Sequence, residues 1–319
     1  MPSRFADRRR APRWSGVPPF VHHPAYTAEL SPNHRFPMNK YQRLAEVLVE
    51  QGLVAPGGFH EPEPASLELI AGAHDEAYAQ AVFDGTLGAA EQRRIGLPVT
   101  PSVALRARAS AAGTLLTARL ALSCGLAANT AGGSHHAGRA HGAGYCVFND
   151  VAVAACALLA ERAVRRVLVI DLDVHQGDGT AALFAGDPRV FTLSLHAAKN
   201  FPARKAASDL DVELPDGLED DAYLARLAEV TPGVLESVRP DLVFYNAGVD
   251  PHRDDRLGRL ALTDEGLARR DAFVLEACLS RGAPVAGVIG GGYDRDVDRL
   301  ARRHALLHRA AADAWARWG

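Results

Sequence analysis

The stretch Val167-Leu168-Val169-Ile170-Asp171-Leu172-Asp173-Val174-His175-Gln176-Gly177-Asp178 decides the fold. Its first four residues are a continuous apolar run, and a run that does not alternate suits a strand buried on both faces of a parallel sheet. Three similar runs follow, at Val190-Phe191-Thr192-Leu193, Leu242-Val243-Phe244-Tyr245 and Val285-Ala286-Gly287-Val288-Ile289. Helical stretches separate them. One spans 221–230, with Tyr223, Leu224 and Leu227 on a stripe; another spans 263–281, with Thr263 as N-cap ahead of Gly266. Upstream, helices are expected over 38–51, 101–126 and 150–163, with a loop rich in Pro, Gly and Glu at 54–64. Strands alternating with helices mean βαβ units, and so an α/β protein whose parallel sheet carries helices on both faces. No internal repeat or low-complexity linker divides the 319 residues, and a single domain is expected.

Gross composition narrows the function classes. Apolar residues at 48% and charged residues at 23% are globular proportions, which excludes a disordered chain. No stretch is long and apolar enough to span a bilayer. A net charge of −3 and a pI near 6.5 give no electrostatic footprint for nucleic acid. Arg4, Arg8, Arg9, Arg10 and Arg13 are followed by no apolar core. That fits a basic tail over 1–18 ahead of a folded domain at 19–319, and not a secretory signal. Cys124, Cys146, Cys156 and Cys278 have no Cys-x-x-Cys spacing, which excludes a zinc knuckle or a disulfide framework and fits a reducing cytoplasm.

Three strands lead into polar, Gly-rich sequence, at 171–180, 246–250 and 290–293. In open α/β sheets the ligand site lies beyond the carboxyl ends of the strands, so these segments point to one crevice. Asp173 and His175, spaced i and i+2 in extended chain, project to the same side. Asp250 can supply a third metal ligand. Two carboxylates and one imidazole leave a position open for water or substrate, with zinc the default and Fe(II) or Mn(II) tolerated by the same donors. The competing reading is that Asp173 and His175 cap the following turn, and that Asp250 starts a turn before Pro251.

His135 and His136 lie in the glycine loop Gly132-Gly133-Ser134-His135-His136-Ala137. With His141 they also offer a separate three-histidine metal site. Asp171 and Asp178 remain to hold the far ring nitrogens of the two histidines, which fixes the tautomer and favours the imidazolium. One His–Asp pair could then accept a proton from water and pass it to a leaving amine, while the other stays cationic and stabilises developing negative charge. Tyr293, after three glycines, could donate to the oxyanion.

These motifs resemble the histone deacetylase family, with its single-domain arginase/deacetylase fold. The similarity rests on residues 132–137, Gly144-Tyr145-Cys146-Val147-Phe148-Asn149-Asp150, 171–180, Ser194-Leu195-His196, 246–250 and Gly290-Gly291-Gly292-Tyr293, in the family's order over roughly 20–310. The resemblance implies Zn2+ on Asp173, His175 and Asp250, and His136 with Asp178 as general base and acid. It implies His135 with Asp171 as the electrostatic partner, and Tyr293 polarising the amide carbonyl. Gly144, Tyr145 and Phe201 would line an acyl-lysine tunnel with Leu257 at its rim. Asp171, Asp173, His175, Ser194 and Leu195 would hold a structural K+, largely through carbonyls. Gln176, where larger members have a second His, and segments 34–38 and 95–98 look like the class IV and bacterial branch. No counterpart of the loop aspartate that grips the substrate backbone in the large eukaryotic enzymes is found. The implied activity is hydrolysis of an acyl-lysine amide in a protein or peptide, or of an acylated small-molecule amine such as an acetylpolyamine, with long acyl chains also open. A ureohydrolase is disfavoured because Asp254 and Asp255 lie too far along, and a non-catalytic metal-holding module because it has no need of His135, His136 and Tyr293 together.

Overall fold

The apolar runs form buried strands in the computed structural model, which describes residues 16–31, 34–55 and 57–318. Seven strands make one sheet: β1 (Phe20–Val21), β2 (Leu126–Asn129), β3 (Val167–Asp171), β4 (Val190–Ala197), β5 (Leu210–Leu214), β6 (Leu242–Asn246) and β7 (Val285–Val288). Their order is β1-β2-β7-β6-β3-β4-β5, and every pairing is parallel. The helices are α1 (Lys40–Glu50), α2 (Leu67–Ala71), α3 (Glu76–Phe83), α4 (Ala89–Ile95), α5 (Pro101–Cys124), α6 (Asp150–Ala160), α7 (Asp178–Phe184), α8 (Asp220–Val238), α9 (Asp264–Leu279) and α10 (Val297–Trp318). They fall into two packed layers. One joins α8, α9, α10 and α1; the other joins α5, α6 and α7. This is the expected α/β architecture.

The strand order places the site. From β3 the chain moves outward through β4 and β5, then returns to the other side of β3 as β6. The crossovers therefore diverge between the carboxyl ends of β3 and β6, and such a switch point opens a crevice. Val169 pairs with Phe244 and Asp171 with Asn246, so the segments leaving these two strands start level with one another.

Several boundaries differ from expectation, each for a local reason. The helix expected to reach residue 126 stops at Cys124, because Gly125 turns the chain at φ +93° and Leu126 already begins β2. The helix expected over 221–230 continues to Val238 through Pro232. Proline lacks the N–H for the carbonyl four residues back, but burial of Val234 and Leu235 holds the helix on its course. Thr263 caps α9 as expected, its Oγ1 accepting from Gly266 N at 3.0 Å. Residues 1–15 of the expected basic tail lie outside the described residues. Among the described residues no helix is long and apolar enough to cross a membrane.

Candidate active site

Asp173, His175 and Asp250 come together as expected. One ligand atom from each lies within 4.8 Å of the others, and no other group of this kind forms among the described residues. His175 Nδ1 is 3.0 Å from Asp173 Oδ1 and 3.1 Å from Asp250 Oδ2. All three are buried. Backbone donors fix both carboxylates: Val174 N–H donates to Asp250 Oδ1 at 2.8 Å and Gly291 N–H to Asp173 Oδ2 at 2.7 Å. A Cβ at Gly291 would fall 2.1 Å from Asp250 Oδ2, so only glycine lets the β7 exit approach this closely. The turn-capping reading holds in part, since Asp173 Oδ1 also accepts from His175 N at 3.0 Å. It does not explain Asp250, which comes from another strand.

The electrostatics of the trio suit a divalent cation. Burial, and then the charge of Asp173, push the Asp250 carboxyl up to about 7. Burial opposes charge on His175, but its hydrogen bonds to Asp173 and Asp250 win and hold it at about 10. Two carboxylates crowded around one proton-bearing imidazole, out of water, form a donor set that a cation can bind in place of the proton. The residues present therefore fit a metal ion of the hard-to-borderline type.

The two histidines each find the expected carboxylate. His135 Nδ1 donates to Asp171 Oδ2 at 2.7 Å, and His136 Nδ1 to Asp178 Oδ1 at 2.5 Å. The rings lie 4.1 Å apart between centroids, and His136 is 5.7 Å from His175. Their charges diverge. Burial works against the His135 cation, but Asp171 and then Asp173 outweigh it and hold its pKa at about 9. Burial, and then the His135 charge, push His136 down to about 4. At neutral pH one ring is thus cationic and its neighbour is a free base. Burial keeps the Tyr293 phenol well above its ordinary pKa, with Asp173 and Asp250 adding to the effect, so it remains a proton donor. Its ring lies 6.2 Å from that of His175.

These side chains border a cavity of about 20 Å³ with walls that include Phe36, Tyr41, Arg106, Gly132, Gly133, Gly144, Tyr145 and Tyr293. Tyr145 sits 5.8 Å from Tyr293, and Phe201 stands edge-on to His136 at 4.8 Å. The Leu257 carbonyl accepts from Asn200 Nδ2 at 2.6 Å, which ties its loop to the one bearing Phe201. Asp171 and Ser194 are paired across β3 and β4, which brings that part of the expected K+ set together. His141 does not join the other two histidines in a metal-holding group; its carbonyl accepts from Gly138 N at 2.9 Å.

Several residues that shape the site escaped the sequence reading. Asp150, buried at the start of α6, accepts from Gly133 N, Ser134 N and Thr114 Oγ1 at 3.1, 2.7 and 2.6 Å. It anchors the loop that carries both histidines. Asp150→Ala would leave these donors without their acceptor in a dry interior, at about 1 kcal/mol or more each. Chemical denaturation should therefore report a loss of roughly 3 kcal/mol in stability, and kcat should fall with it. Arg270 of α9, wholly buried, donates through Nη1 to Leu172 O at 3.2 Å and Gly248 O at 2.6 Å, bracing the exits of β3 and β6. Lys40 of α1, also buried, donates to Gly290 O at 3.1 Å beside Tyr293. Gln176, marked in the sequence only as a departure from the larger family members, donates through Nε2 to Ala206 O at 2.9 Å and so ties down the loop that follows Phe201. A buried Lys or Arg is rare enough to be informative, but in the sequence nothing marks these positions as buried.

The profile of the histone deacetylase domain matches residues 34–308. An uncharacterized protein of Picosynechococcus sp. is 50% identical over 300 residues, covering 93% of this chain and 99% of its own. A probable deacetylase of Methanothermobacter thermautotrophicus is 30% identical, covering 86% and 85% of the two chains. Histone deacetylase 2 of Arabidopsis thaliana is 29% identical over 84% of this chain and 71% of its own. The crystal structure of the HD domain of HDA15 superposes with a TM-score of 0.79 at 22% identity, over 94% of this chain and 90% of the other, and so shares its fold. The match to the domain profile over most of the chain makes this protein a member of the histone deacetylase family of amide hydrolases.

Proposed function

We propose that the protein is a zinc-dependent deacylase that hydrolyses the amide of an acyl-lysine. The observation that carries this reading is the pair of buried His–Asp couples beside the Asp173–His175–Asp250 cluster. Zn2+ held by that cluster, or Fe2+ in its place, would supply Lewis-acid polarisation of the acyl carbonyl and acidify water. The protein's own groups do the rest. Tyr293 donates a hydrogen bond from its phenolic O–H to the acyl oxygen as negative charge develops there, and keeps its proton. His136, neutral at pH 7 and oriented by Asp178, takes a proton from the attacking water at Nε2. As the C–N bond breaks it returns that proton to the amine, leaving a carboxylic acid and a free lysine. His135 remains cationic and stabilises the charge that builds up between these steps.

Gly144, Tyr145 and Phe201 are proposed as tunnel walls, Leu257 as a rim residue, and Asp171, Asp173, His175, Ser194 and Leu195 as the K+ site. The catalytic unit is taken as 19–319, and the free thiols fit a cytoplasmic setting. The test is Tyr293→Phe. Turnover of an acetyl-lysine reporter should fall by roughly 10²- to 10³-fold, the usual loss of one oxyanion donor, with zinc content retained. Undiminished turnover would remove Tyr293 from the mechanism.

A further inference from the structure

Resting on the deacylase reading, we infer that the mouth of the site is a cationic collar that selects acyl-lysines flanked by acidic residues. Four segments meet there. His34 packs on Tyr145 at 6.3 Å between ring centroids, and Phe201 on His136 at 4.8 Å. The Phe201 segment is tied to the 253–259 loop by Asn200 Nδ2 donating to Leu257 O at 2.6 Å, and by Arg259 N donating to Asn200 Oδ1 at 3.0 Å. That loop is tied to the segment after β7 by Tyr293 N donating to Asp255 Oδ2 at 2.7 Å.

Every segment carries at least one exposed arginine within three residues of these contacts: Arg35, Arg204, Arg253, Arg256, Arg259 and Arg295. Arg259 is bound to Asp216 at 3.1 Å, and none of the other five has an ion-pair partner among the described residues. Two of the carboxylates on the same segments are paired with other arginines. Asp254 is bound to Arg303 at 3.0 Å, and Asp294 to Arg299 and Arg303 at 2.7 and 2.8 Å. Asp255 accepts from backbone N–H groups, and Asp296 accepts from Arg299 N at the start of α10. Asp255 and Asp296 have no cationic partner among the described residues and offset part of this charge, but five unpaired arginines against two such carboxylates leave the collar net positive, in a chain whose net charge is −3. Phe201 and Leu257, 46% and 39% exposed, add apolar surface beside it. A positive rim raises the local concentration of anionic substrates and repels cationic ones. An acetylated polyamine or an Arg- and Lys-rich tail is the wrong partner by charge; a polypeptide with Asp or Glu beside the acyl-lysine is the right one.

The test compares three acetyl-lysine peptides with acidic, neutral or basic flanks, and N-acetylspermidine, on the zinc-loaded full-length protein. Peptide affinity is read by fluorescence anisotropy alongside kcat and KM. At low ionic strength the acidic peptide should exceed the basic one by about tenfold in kcat/KM, the lower end of electrostatic steering. The difference should lie in KM and should shrink at roughly 0.5 M salt, where the Debye length is about 4 Å. In the Arg204→Glu, Arg256→Glu double variant the order of acidic and basic peptides should invert. Equal rates for the two peptides, or faster turnover of N-acetylspermidine than of the acidic peptide, would overturn the inference while leaving the deacylase reading intact. Charge-selective binding with no turnover of any substrate would overturn the deacylase reading and leave the collar standing.

Discussion

Asp250→Ala is expected to abolish metal binding without unfolding the protein. Asp250 is wholly buried, and its carboxylate supplies one of the three donor atoms of the cluster. Asp173 and His175 alone leave too few ligands for tight binding, so metal content measured after dialysis should drop from stoichiometric to near background, and activity with it. Two effects on the fold oppose each other. Removing the carboxylate leaves Val174 N–H without its 2.8 Å acceptor, at about 1–3 kcal/mol. It also relieves a buried acid that its surroundings hold at about 7. A carboxyl whose pKa is raised on folding destabilises the native state at every pH above its unfolded value. The two terms are of the same order, so the metal-free variant should melt close to the metal-free parent. Metal affinity of the parent should rise with pH, because binding must displace the proton shared by Asp250 and His175. Full metal content in Asp250→Ala would remove Asp250 from the ligand set.

How much of this could be read in the sequence depended on whether the cause was local. The strands β3, β4, β6 and β7 were legible because burial on both faces writes a continuous apolar run. β2 reads Leu126-Ala127-Ala128-Asn129, which by composition belongs as well to the end of α5 as to a strand. Its small residues accept α5 and α10 against it, and that is a tertiary cause. β1 has two residues and exists through its pairing with Ala128 and Asn129. β5, at the sheet edge, has a burial pattern broken by exposed Glu213 and carries no apolar run. The amphipathic α10 does carry a readable period, with Leu300, His304, Leu307 and Ala311 among its buried residues.

The site divides in the same way. Asp171, Asp173, His175 and Asp178 crowd into eight residues at a strand exit, where extended geometry and strand-end placement make their roles readable. Asp150 serves Gly133 and Ser134 from the next helix, and Lys40 reaches Gly290 from the far end of the chain. Arg270 braces two strand exits from α9. Their partners are backbone atoms, which leave no mark on composition or spacing. These residues set how firmly the loops are held, while the motif residues set what the loops do.

His136→Ala is expected to lower kcat by roughly 10³- to 10⁴-fold, the upper range for a general acid–base group, with zinc content unchanged. Retained metal separates it from Asp250→Ala, and full activity would show that the proton goes elsewhere. The charge difference between the two histidines makes the pH profile a sharper probe than the rate alone. His136 must be neutral to accept a proton, so activity should rise as pH increases through about 4. His135 must be cationic to stabilise negative charge, so activity should fall as pH increases through about 9. The acid limb contains a test of the coupling between the rings. After burial, the charge of His135 is what depresses His136, with the ring centroids 4.1 Å apart. His135→Asn removes that charge and leaves Asp178 on His136, so the acid limb should move to higher pH while the alkaline limb disappears. An acid limb that stays in place would mean that the two histidines titrate independently, and that burial alone prepares His136 as the base.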